Sequence, residues 1–69
     1  MNETRKKAPR GKYRVIGVDM FSNEDYLVGD YKNIIEAMGV LVQKNQDAQK
    51  QGTLPDRYYA YDDKGRYIG

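Results

Sequence analysis

Between Asn33 and Gln51 the chain has room for one helix, and the rest of it reads as strand, turn or tail. Ile34, Ile35, Met38, Leu41, Val42 and Asn45 recur at the spacing that lines one face of a helix. Asn33 suits the N-cap, and Glu36 three residues later completes a capping-box pattern. Gly52 suits the position just past the helix end, and Pro55 forbids continuation. Beyond Leu41 the helix turns polar, so its last turns are expected to project past the sheet that receives it. Gly39 interrupts the helix at a cost of about 1 kcal/mol relative to alanine. Close approach of the helix backbone to a large side chain on the sheet would explain it; a binding groove is the sharper alternative.

Strand patterns flank the helix. From Lys12 to Phe21, Arg14, Ile16, Val18 and Met20 alternate with Tyr13, Val15, Gly17 and Asp19. Ile16, Val18 and Met20 make the more apolar face and are expected to point at the helix. Ser22–Asp25 is a polar turn cluster, and Tyr26–Asp30 reads as an antiparallel return with Leu27 facing inward. Arg57–Asp62 is a third strand by its tyrosines, and Asp63-Lys64-Gly65 turns the chain into a short Arg66-Tyr67-Ile68 return. The expected core is Ile16, Val18, Leu27, Ile34, Met38, Leu41 and Val42.

The fold class is therefore α+β: a small ββαββ domain with one helix on one face of a three- or four-stranded sheet. This order resembles β-grasp domains, including the small bacterial immunoglobulin-binding modules, and Tyr61-Asp62-Asp63 ahead of the last hairpin is similar to their third strand. The resemblance implies a ββαββ, β-grasp-like sheet with the first and last strands paired in parallel at its centre. No antibody-binding residues align on the helix, so that activity is not implied.

Charge divides the chain in two. Residues 1–14 carry Arg5, Lys6, Lys7, Arg10, Lys12 and Arg14 against Glu3 alone, a balance of +5. Residues 15–69 carry six basic and nine acidic side chains, a balance of −3. Pro9 and Gly11 break regular structure, so residues 1–11 read as a disordered basic arm preceding a single domain over 12–69. Removing the arm is expected to leave the melting temperature unchanged. No apolar segment follows Arg5-Lys6-Lys7, which points away from a secretory signal and towards the cytoplasm.

The chain has no cysteine and no histidine, which removes the commonest metal ligands, general base and thiol nucleophile. Ser22 is its only serine and has no histidine to activate it. Asp62-Asp63-Lys64-Gly65 lacks the ligand series of a calcium loop. Glu24 and Asp25 are adjacent in a turn, where neighbouring side chains diverge. No enzyme activity, cofactor, metal or membrane association is expected.

Seven tyrosines remain as the main functional signal. Strand alternation sends Tyr59 and Tyr61 to one sheet face and Tyr58 and Ala60 to the other. Tyr59 and Tyr61, with Arg57 on their side, are expected on the helix-free face beside Tyr13 or Phe21. Arg57, Tyr59, Tyr61 and Tyr13 are thus the candidate contacts for a protein partner, since tyrosine is enriched at interfaces. The alternative partner is nucleic acid, with Arg5, Lys6, Lys7, Arg10 and Lys12 on phosphates and tyrosines on bases.

Overall fold

The computed structural model describes residues 6–50 and 56–69. Arg5 and the Gly52–Pro55 helix-stop signal lie outside the described residues. Three strands, β1 (Tyr13–Val18), β2 (Asp25–Tyr31) and β3 (Arg57–Tyr61), form a sheet of order β2-β1-β3. Both pairings are antiparallel. One helix, α1 (Ile34–Gln49), packs on one face, giving the α+β class expected. No helix among the described residues is long and apolar enough to cross a membrane.

The β-grasp arrangement is not what forms. The strand beside β1 at the sheet centre is β3, and it runs antiparallel. Residues 66–69 run along the opposite edge of β3, with a single bridge between Tyr61 and Tyr67. Backbone bonds from Asp62 N to Arg66 O, Ile68 N to Ala60 O and Ala60 N to Gly69 O hold this segment irregularly in place. Gly65, at φ 79°, takes the left-handed conformation of the intervening turn.

Asn33 caps α1 as its sequence suggests: its Oδ1 accepts from the Glu36 N–H at 2.8 Å. The face that α1 buries matches the expected one only in part: Leu41 is buried and Met38 packs against the core, as expected. Ala37, Leu41 and Ala48 are buried, whereas Ile34 and Val42 are about half exposed and Ile35 is 82% exposed. Ala37 and Ala60 meet Val15 and Leu41 in the core, where two methyl side chains let helix and sheet approach closely. Tyr13, Val28, Tyr31, Met38, Val40, Tyr58 and Ile68 close around this centre.

Strand β1 is correspondingly turned over. Val15, not Ile16, points at α1. Ile16 and Val18 lie on the helix-free face, where Ile16 is nonetheless 1% exposed between its cross-strand neighbours Leu27 and Tyr59. A bulge in the β1–β2 ladder sets Val28 and Gly29 against Val15, so Val28 packs inward and Leu27 faces out, half exposed. Leu27 is therefore not a core residue of the helix side.

Residues 6–11 do not hang free of the domain. Ala8 is buried, its N–H donates to Asp62 O at 3.1 Å, and the Gly11 N–H donates to Asp63 Oδ2 at 2.8 Å. The segment is basic and the turn it meets is acidic, which the two-part charge distribution foreshadowed without revealing the contact. Deleting residues 1–11 is accordingly expected to cost about 1–2 kcal/mol, from one backbone–backbone and one backbone–carboxylate hydrogen bond and one buried methyl. A thermal melt of the truncated chain should fall by several degrees. An unchanged melt would show the docking to be energetically empty.

Candidate functional site

Alternation in β3 separates its tyrosines by face. Tyr58 and Ala60 pack towards α1, and Arg57, Tyr59 and Tyr61 take the helix-free face. In register with them on β1 stand Val18, Ile16 and Arg14. Arg14 is tied to Asp30 on β2 through Nε at 2.7 Å and a second guanidinium nitrogen at 3.0 Å. This ion pair raises the guanidinium pKa further and orders the outer face between β1 and β2.

The C-terminal segment adds a ring the strand pattern does not supply. Tyr67 sits with its ring centroid 6.2 Å from Tyr59 and 5.9 Å from Tyr61, both inclined. Lys6 Nζ lies 5.8 Å from the Tyr61 centroid, within cation–π range. The result is an aromatic cluster bordered by Arg57 and Lys6, with Leu27 across the sheet.

Asp62 holds this arrangement together. Its carboxylate accepts from the N–H groups of Lys64 and Arg66 and from Arg66 Nε, while its carbonyl accepts from Ala8 and Gly65. The Arg66 and Lys64 amides and the Arg66 guanidinium hold its carboxyl below the usual carboxylate range. Its contribution is thus present above that range and fades as pH falls through the lowered value. Its side chain positions Tyr67 through the turn, and its backbone carbonyl holds the docked arm that carries Lys6.

No protein-family profile matches this chain, and neither a curated protein nor a solved structure matches it significantly. The reading of the site therefore rests on its geometry.

The structure redistributes the expected site residues. Tyr13 packs against the helix-side core and is not part of the outer cluster. Phe21 lies in the β1–β2 turn, 81% exposed, where Asp19 Oδ1 accepts from its N–H. The neighbours of Tyr59 and Tyr61 on β1 are Ile16 and Arg14 instead, because the same alternation that sends Val15 inward sends Tyr13 inward with it. Lys6 and Lys7 join Lys64 and Gly65 around a shallow recess of about 320 Å³. Arg10 and Lys12 are exposed in a turn closed by a Lys12 N–H to Pro9 O bond and stand outside that recess.

A second polar group was not legible from spacing. The Tyr26 hydroxyl donates to Asp56 Oδ2 at 2.5 Å and lies 3.2 Å from the Tyr58 hydroxyl, with the two rings edge to face. Burial and the Asp56 bond raise the Tyr26 pKa, so the phenol stays protonated and serves as a donor. The group clamps the start of β3 to β2 across Gly17. Among the described residues no cluster of three or more acidic side chains is arranged to hold a metal ion.

Proposed function

We propose that this chain is a non-enzymatic, cytoplasmic protein-interaction module that receives its partner on the helix-free face of the sheet, at Arg57, Tyr59, Tyr61 and Tyr67. The observation that carries the reading is the gathering of three tyrosine rings on the sheet face opposite α1. Tyrosine offers a large contact area with little side-chain entropy to lose, and its hydroxyl tolerates water before a partner arrives. Ile16 and Leu27 extend the patch across the sheet. The lack of cysteine and histidine supports a binding role over a catalytic one.

The test compares affinity captures from the source cell by three forms of the chain. Wild type and Val42→Ser should recover the same protein, and the Tyr59→Ser/Tyr61→Ser form should lose it while remaining folded by far-UV circular dichroism. Retention by the double tyrosine variant would overturn the reading.

A second reading has one specific support. The Lys6–Lys7–Lys64 recess adjoins Tyr61, so a phosphate and a stacked base could be engaged together. Binding of a mixed-sequence single-stranded oligonucleotide should then weaken steeply with salt, and Lys6→Ala/Lys64→Ala should flatten the slope. No binding at low salt removes this alternative.

A further inference from the structure

The tyrosine cluster carries cations at both of its ends. Alternation puts Arg57 on the same face as Tyr59 and Tyr61, and four residues of strand set Arg57 about 13 Å from Tyr61. At the Tyr61 end, Lys6 Nζ stands 5.8 Å from the ring centroid, and Lys6, Lys7 and Lys64 surround one shallow recess. The docked arm holds these three like charges together against their mutual repulsion. Among the described residues, neither Arg57 nor any of the three lysines makes an ion pair. The carboxylates of the adjoining turn have other partners: Asp62 accepts from the Lys64 and Arg66 amides and the Arg66 guanidinium, and Asp63 Oδ2 accepts from the Gly11 N–H. Between the two ends lies Tyr67, 64% exposed, with its ring against Tyr59 and Tyr61. Asp25 and Asp30 stand on the same face two strands away, on β2.

Resting on the reading of this face as the partner site, we propose that the segment it receives is an extended acidic peptide lying along β3. One carboxylate meets Arg57, another meets the Lys6–Lys7–Lys64 recess, and an apolar or aromatic side chain between them packs on Tyr59 and Tyr67. Alternate residues of an extended chain share a face, and the span from i to i+4 equals the Arg57–Tyr61 separation. The cations are therefore spaced for acids at i and i+4, and the Tyr67 ring for an apolar residue at i+2. A peptide crossing the strands would carry its acids towards Asp25 and Asp30, so charge favours the direction of β3. A nucleic-acid strand fits less well, because it carries a charge on every residue while the cations here gather at the ends of an aromatic stretch. Exposed ion pairs contribute little singly and are screened by salt, so the association is weak, salt-sensitive and dependent on both ends.

Nuclear magnetic resonance titration of the isotope-labelled full chain tests this, with the end-capped peptide Ser-Glu-Thr-Phe-Thr-Glu-Ser and its analogue carrying Gln for both Glu. The acidic peptide should shift the amides of Arg57, Tyr59, Tyr61, Lys64 and Tyr67. The analogue should bind about tenfold more weakly at low salt, and the difference should vanish at high salt. Arg57→Ala should weaken the acidic peptide and leave the analogue unchanged. No response to the acidic peptide, or shifts confined to α1, would overturn the proposal. Equal binding of the two peptides on the tyrosine face would overturn the acidic assignment alone, and the affinity captures would still decide the reading on which it rests. Displacement of the acidic peptide by an equal concentration of a mixed-sequence single-stranded oligonucleotide would overturn it in favour of nucleic acid.

Discussion

Leu41→Ala is expected to unfold much of the population at room temperature, while Val42→Ala leaves the melt close to wild type. The two positions are adjacent, similar in chemistry and both apolar. Leu41 is 4% exposed at the meeting point of Val15, Ala37 and Ala60; Val42, about 100° further round the helix, is 51% exposed. Truncating a buried leucine costs about 2–5 kcal/mol, from lost transfer energy and the cavity left behind. A single core in a chain of this size supplies roughly 3–5 kcal/mol in total, so the loss is comparable to the whole stability. Val42→Ala removes two methyl groups from a half-exposed side chain and replaces a β-branched residue by the best helix former, which offsets the small loss. Urea unfolding of the two variants reads the contrast directly. Equal destabilisation would mean that the helix is rotated from the face described.

Gly17→Ala should be nearly as damaging, although it adds one methyl group. A Cβ at Gly17 would stand 2.5 Å from Tyr26 Cε2 and 2.6 Å from its hydroxyl oxygen. The ring cannot swing aside freely, because its hydroxyl is bonded to Asp56 and its edge abuts Tyr58. Overpacking of this kind costs about 1–3 kcal/mol. A displaced Tyr26 would also release the clamp between β2 and the start of β3. Tyr26→Ser should therefore suppress the defect: the Gly17→Ala/Tyr26→Ser double variant is expected to be less destabilised than the two single losses added together. Simple addition in chemical denaturation would show that Gly17 is required for another reason.

Local rules decide several features of this chain. The Asn33 cap, the helix that follows, the turn at Gly65 and the strand at Arg57–Tyr61 each depend on neighbours within a few positions. The expected face of Tyr59 and Tyr61 also emerged, because period-2 alternation ties their direction to each other and opposes it to Ala60. The orientation of β1 was not legible. It carries β-branched residues on both faces, Val15 on one and Ile16 on the other, and both end fully buried. A central strand lying under a helix on one side and among Leu27 and Tyr59 on the other offers no polar face to betray its register.

On the helix, Leu41 and Met38 lie on the buried side as expected, and Ile34 and Val42 do not, for a related reason. Large aliphatics at Ile34, Ile35 and Val42 outweigh Ala37 in any count of hydrophobicity, yet it is Ala37, with Leu41, that meets Val15 and Ala60 of the sheet. Packing favours small side chains where two elements must come close, and that requirement appears only when both surfaces exist. The arm contact with Asp62 and Asp63 was hidden by distance: Gly11 and Asp63 are 52 residues apart, and charge composition names no partner.

The order of β1, β2, the helix and β3, the helix cap and the segregation of charge followed from the sequence alone, because capping, alternation and turn chemistry act over a few residues. Which face of β1 and α1 is buried, which strand sits beside β1, and which tyrosines gather with Tyr67 and Lys6 were decided by the tertiary structure. Those choices depend on the fit between surfaces far apart in the chain: two alanines that permit close packing, a glycine that makes room for a ring, and an aspartate that draws two distant segments to one turn.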